Sequence, residues 1–226
     1  MRRASQLFTE GDKQAIRAAV TEAEKGTSGE IVPVVATRSG RYDRAEDIFG
    51  VVLALIAVGV VWLLFQRVQP TGGAWGAASA IALGLGMVLL TFSVAFVAGV
   101  VLATFVPVLA RPFVAKKELR EEVLRSANQA FFEFRVRRTK SETGMLVYIS
   151  LFERMVCVVG DRAISEKLGQ SHWDAVRDML VTGLRKGNPT EGICAAIKRC
   201  GELLAEHFPI APDDVNELGN DLHLID

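Results

Sequence analysis

From Ile48 to Ala110 the chain runs 63 residues with a single charged side chain, Arg67, while the other 163 residues carry 51 charges. That contrast limits what the chain can fold into. The charged part is too small to cover two long apolar runs in a soluble core, so a bilayer is the expected surrounding for them. Ile48 to Phe65 is 18 uncharged residues, mostly Val, Leu, Ile and Ala. As a helix rising about 1.5 Å per residue, it just crosses a hydrocarbon core of roughly 30 Å. The stretch Gln66 to Gly73 breaks it with polar, Pro and Gly residues. Trp62 and Trp75 flank the break, where aromatic rings favour the membrane interface.

The second apolar run, Ala74 to Ala110, is long for one crossing and short for two. The segments before and after the insert are expected to complete one domain, so they lie on one side and the number of crossings is even. Two crossings fit, at about 48–66 and 76–103. The surplus near Phe105–Val114 is expected along the interface, with Pro107 and Pro112 ending the helix. The loop between the crossings holds only Arg67. The flanks on the domain side hold Arg38, Arg41 and Arg44, then Arg111, Lys116, Lys117 and Arg120. Positive flanks place the domain in the cytoplasm.

Elsewhere the composition excludes more than it assigns. Net charge is zero, so no nucleic-acid partner is expected. Cys157, Cys194 and Cys200 form no CxxC and no zinc-ligand spacing, and read as small core hydrophobes in a reducing compartment. The residues after Arg2 and Arg3 are an acidic, helix-like run, so no signal peptide is expected.

The charged part splits into residues 1–47, residues 111–212 and an acidic tail, 213–226, expected to be loosely ordered. Thr9 and Asp12 make a capping-box-like start to a helix whose stripe is Ile16, Val20 and Ala23 and which ends at Gly26. Glu30 to Ala36 is nearly continuously apolar, as in a strand covered on both faces, although Pro33 points to an edge or bulge. Lys116 to about Arg137 is helical, with Leu119, Val123, Ala127, Ala130, Phe131 and Phe134 on one face. Met145–Leu151 and Met155–Gly160 form a hairpin around Phe152-Glu153-Arg154. Helices follow over Ala163–Leu168, Ser171–Leu184 and Thr190–His207, the second capped by Ser171. Neither half buries its own apolar surface, so the strands must join in one sheet. The fold class is α/β: a small mixed β-sheet packed by helices and interrupted by an inserted two-helix transmembrane hairpin.

Seven short motifs occur in order: Thr27-Ser28-Gly29-Glu30-Ile31; Thr143 through Ser150; Gly160-Asp161-Arg162-Ala163-Ile164; Trp173-Asp174; Glu191-Gly192-Ile193; His207-Phe208-Pro209; and Asn216-Glu217-Leu218. Together they resemble the TPM domain family, also described as TPM phosphatase-like, in a membrane-anchored bacterial form. The resemblance implies an α/β sandwich with a mixed sheet. It also implies links to acid phosphatase activity, divalent metal binding and the maintenance of membrane protein complexes.

If the first two strands are parallel, Glu30, Glu142 and Asp161 fall at one end of the sheet. Three carboxylates there form a candidate site for a hard divalent cation, Ca²⁺ or Mg²⁺, which could clamp a phosphate. The competing reading is that strand-end carboxylates are solvated or cap helices, as Asp161 would cap the next one. Glu153 reads as a solvated turn residue. His172 and His207 read as packing and helix-dipole partners, and no Ser/His/Asp triad, Walker loop or CX5R motif is present. The catalytic residues of any hydrolase activity are therefore unassigned. Two functions remain: a membrane-tethered binding or maintenance module for other membrane proteins, and a metal-dependent phosphatase held at the bilayer.

Overall fold

The computed structural model of the chain describes residues 3–65, 68–70, 79–81 and 84–226. The chain divides into two compact units. The first, Arg41–Lys116, is the apolar insert. The second is assembled from Arg2–Gly40 and Lys117–Asp226.

In the second unit, helices α1 (Ala4–Leu7) and α2 (Glu10–Glu24) lead to strand β1 (Glu30–Ala36). The Thr9–Asp12 capping box forms: the Thr9 hydroxyl accepts from the Asp12 N–H (3.2 Å), and Asp12 Oδ2 accepts from the Thr9 N–H (2.8 Å). In the insert come α3 (Asp43–Phe65), a short antiparallel ribbon of β2 (Val68–Pro70) and β3 (Ser79–Ile81), and α4 (Leu85–Phe105). The second unit resumes with α5 (Lys116–Glu133), β4 (Gly144–Ser150), β5 (Met155–Gly160), α6 (Arg162–Lys167), α7 (Gln170–Arg185), α8 (Pro189–His207) and β6 (His223–Ile225).

The four-stranded sheet has the order β5-β4-β1-β6. β1 runs parallel to β4 and to β6, and β5 returns antiparallel to β4. All seven residues of β1 and of β4 are buried, because both faces are covered. One face, with Ile31, Val35, Met145, Val147 and Ile149, packs under α2, α7 and α8. The other, with Val32, Val34, Leu146 and Tyr148, packs under α5. The unbroken apolar runs follow from this double burial.

Four expectations are corrected. β1 is interior, not an edge. Pro33 is tolerated because alternate residues face opposite neighbours. Glu30 N–H donates toward β4, whereas Ile31 N–H and Thr37 N–H point the other way. Pro33 shares that second side, where β6 pairs only from Val34 onward, so its missing N–H removes no bond to β4. The tail is not loose, since it returns as β6. α5 ends at Glu133, where Arg135 takes a left-handed φ of 57° before a 3-10 turn. α7 begins at Gln170 with Gly169 as its N-cap, rather than being capped by Ser171.

In the insert, α3 and α4 are each long and apolar enough to cross a membrane, and only 11% and 6% of their most apolar windows are buried. They pack antiparallel. The Thr104 hydroxyl donates to Glu46 Oε2 at one end of the pair (2.7 Å), and Gly99 sits on Gly50 further along. A Cβ at Gly99 would lie 2.8 Å from Gly50 Cα, so the contact is made backbone to backbone, as small residues permit in apolar helix pairs. The second helix was expected from near Gly76 but begins at Leu85, beyond strand β3 (Ser79–Ile81). Arg67, Trp75 and most of the expected break lie outside the described residues.

Candidate functional site: an acid-lined cavity at one end of the sheet

β1 and β4 start side by side, with Glu30 opposite Gly144, and the segment after α8 crosses this end of the sheet. Thr27 and Ser28 fasten that segment. Thr27 Oγ1 donates to Phe208 O (2.6 Å), the Ser28 N–H donates to the same carbonyl (3.1 Å), and the Ser28 hydroxyl accepts from Ala211 N–H (2.9 Å). Thr143 Oγ1 donates to Ser28 O (2.7 Å), tying β4 to the same turn. The Thr-Ser-Gly-Glu motif therefore works as a hydrogen-bonded corner.

A cavity of about 70 Å³ opens there, lined by Ser28, Glu30, Lys140, Thr143, Asp213, Asp214 and Glu217 among others. Glu30 is 6% exposed. Its Oε1 accepts from the Glu217 N–H (2.9 Å), and its Oε2 is buried with no hydrogen-bond partner. Burial pushes the Glu30 carboxyl above the usual carboxylate range, and the charges of Asp214 and Glu217 add to that, against the backbone N–H groups of Glu217 and Leu218. Glu217 Oε2 accepts from Lys140 N–H (2.8 Å). Behind Glu30, Glu24 bridges the Ile31 N–H (2.8 Å) and the Asn220 amide (2.7 Å). Its carboxyl is pushed up to about 7, mainly by burial, with Glu30 and Asp214 contributing. Two carboxyls that resist ionisation lie beside three further acids, Asp213, Asp214 and Glu217, against one cation, Lys140, whose Nζ is 4.0 Å from Glu217 Oε1, so the site carries an excess of negative charge.

Of the three acids expected to converge, the structure brings Glu30 to this cavity. Asp161 caps α6, with Oδ1 accepting from Arg162 N–H (2.8 Å) and Oδ2 buried without a partner. Glu142 is exposed at a left-handed φ of 53°, where its charge acts on Arg162. Between Glu30 and Asp161 lies Gly144, whose Cα is roofed by the chain of Val136; a Cβ there would lie 2.1 Å from Val136 O. Among the described residues, no three His, Cys, Asp or Glu side chains gather closely enough to hold a metal ion. In kind, the cavity's donors are hard oxygens, suited to Ca²⁺ or Mg²⁺ rather than to softer metals.

Glu24, Asp213, Asp214 and Glu217 were not singled out as site residues from the sequence. The available signal was Asn216-Glu217-Leu218, a motif inside a tail expected to be loose. At the other end of the sheet, Glu153 is buried rather than solvated. It accepts from Ser150 Oγ and from the Ser39 N–H (2.9 Å), and Ser39 Oγ in turn donates to Ser150 Oγ (2.8 Å).

Residues 113–203 match the family model described as the TPM domain, a span from the approach to α5 through most of α8. No curated protein matches. Among solved structures, the chain is similar to the BA42 protein from the psychrophilic bacterium Bizionia argentinensis, determined by NMR. The two share 19% identity over 96% of this chain and 94% of that one, with a TM-score of 0.56. At that identity the likeness shows a shared fold.

Proposed function

Residues 113–203 match the TPM domain, and on that premise we propose that the chain acts as a membrane-tethered binding module that takes a cationic ligand at the acid-lined end of its sheet. The observation that carries the binding role is Glu30: a carboxylate placed at a cavity, with one oxygen left without a donor. An unpaired buried carboxylate oxygen costs stability, and a cation supplies what it lacks. The tether rests on α3 and α4, whose apolar side chains stand exposed, Leu63 at 81% and Phe105 at 80%. Burying them in lipid removes about 25 cal/mol for each Å² of apolar surface taken from water. Because β1 and β4 belong to one sheet, the insert must leave and return on one side of the bilayer. The basic flanks assign that side to the cytoplasm. In that setting the module serves other membrane proteins, as the family resemblance implies.

The test is calorimetric titration of the full chain in detergent with Ca²⁺ and with Mg²⁺. Saturable heat that Glu30→Gln removes supports the reading, and no heat with either ion removes it. Retention of the chain in membranes after alkaline carbonate extraction tests the tether separately. Metal-dependent hydrolysis of a generic phosphomonoester, abolished by Asp161→Asn, would shift the assignment to the phosphatase alternative.

A further inference from the structure

The opposite end of the sheet has different chemistry. β1 ends at Ala36, and the domain's first segment ends at Gly40. The segment that resumes the domain is α5, and Gly40 packs against its second turn, where a Cβ would lie 2.7 Å from Glu122 Cγ. The end of the first segment and the start of α5 therefore lie together at the C-terminal end of β1. The β4–β5 turn lies there too, since the Leu151 N–H donates to Ala36 O and the Phe152 N–H to Thr37 O (both 3.0 Å).

Beside that turn is a cavity of about 420 Å³ lined by Ser150, Leu151, Arg154, Val181, Leu184 and Arg185. It pairs an apolar wall with two guanidinium groups. Neither Arg154 nor Arg185 has an ion-pair or hydrogen-bond partner among the described residues. The neighbouring acid, Glu153, is directed inward to Ser150 and Ser39. Guanidinium forks match the geometry of phosphate oxygens, and the leucines and valine suit the apolar part of an amphipathic ligand. We propose that this cavity holds the phosphate of an anionic lipid headgroup between Arg154 and Arg185. The proposal rests on the reading of the insert as a membrane anchor. It gives the domain a basic pocket for an anionic lipid at one end of its sheet and an acid-lined cavity, at Glu30, at the other.

Arg154 supplies a favourable probe. It holds a left-handed φ of 55°, which glycine adopts without strain, so Arg154→Gly deletes the charge without burdening the fold. The full chain in neutral detergent micelles is titrated by calorimetry with short-chain phosphatidylglycerol, with short-chain phosphatidylcholine and with inorganic phosphate. Phosphatidylglycerol is expected to bind saturably and more tightly than the other two. Arg154→Gly and Arg185→Gln should each weaken it about five-fold, the equivalent of about 1 kcal/mol per cation at a lipid surface. Unchanged binding in the double variant overturns the proposal. Equal binding of phosphatidylcholine removes the preference for anionic lipid and overturns it as well. Inorganic phosphate binding as tightly as the lipid assigns the site to free phosphate and overturns the lipid source. Release of the chain by alkaline carbonate would instead overturn the membrane anchor, whatever the titrations show.

Discussion

Glu24→Gln should flatten the pH dependence of stability, faring better against the wild type at pH 8 than at pH 4. The Glu24 carboxyl is pushed from 4.5 up to about 7 by burial next to Glu30 and Asp214. Between those two pH values the folded state binds a proton that the unfolded chain releases, so stability falls as pH rises through the window. Below 4.5 both states hold the proton and nothing is lost. Above 7 the folded state must carry the charge. At 1.36 kcal/mol per pH unit the full span corresponds to about 3 kcal/mol. Glu24 is only partly buried, so solvent screening reduces this to about 1–2 kcal/mol. Glutamine keeps the acceptor for the Ile31 N–H, but the Asn220 amide is held by Asn216 and Thr21 and cannot turn, so the variant gives up the Asn220 bond at every pH and the reading rests on the difference between pH 8 and pH 4. For a domain of this size, 1–2 kcal/mol shifts Tm by about 2–8 °C. The assay is thermal unfolding of both proteins in detergent from pH 4 to pH 8, followed by circular dichroism. Parallel curves for wild type and variant across that range would refute the reasoning, because the pH slope would then arise elsewhere.

Gly144→Ala should cost about 1–3 kcal/mol, since its Cβ meets Val136 O at 2.1 Å and the 3-10 turn must move off the sheet; the loss of Tm on heating checks it. Ser150→Ala should destabilise by about 1–3 kcal/mol, because it leaves the buried Glu153 carboxylate short of a donor; denaturant unfolding reads this directly. The Cys200 thiol is fully buried and pushed up to about 12, so it should resist maleimide at pH 8 until the protein is unfolded, as peptide mass spectrometry would show. Cation affinity at the acid-lined cavity should fall as pH drops through about 7, where Glu24 takes up a proton beside Glu30; titration with Ca²⁺ at pH 8 and pH 5.5 checks it.

Features set by neighbouring residues were legible in the sequence. The apolar runs specified α3 and the bulk of α4, because helix length and composition are local properties. Thr9 and Asp12 specified the start of α2, three residues apart. The unbroken apolar character of Glu30–Ala36 and Met145–Leu151 specified strands covered on both faces. The requirement that those strands share a sheet followed from burial alone, before any contact was known. The motif order carried the family resemblance for the same reason: each piece is short and contiguous.

What the sequence left open depends on partners far apart along the chain. Strand β6 is three residues long and has no pattern of its own. It forms because the second side of β1 lacks a neighbour, and backbone groups there need donors and acceptors. The acid-lined cavity joins Glu30 to Glu217, and the joining bond runs from the backbone N–H of one to the side chain of the other. No spacing rule reports such a bond. Whether Glu153 faces water or the interior was likewise decided by Ser39 and Ser150, which only the folded sheet brings beside it. Local sequence thus determined the main helices, the strands β1, β4 and β5 and the apolar spans, since those follow from short-range sterics and periodicity. Tertiary structure decided where the charges went, because the burial and hydrogen bonding that shift a carboxylate exist only once distant segments have closed around it.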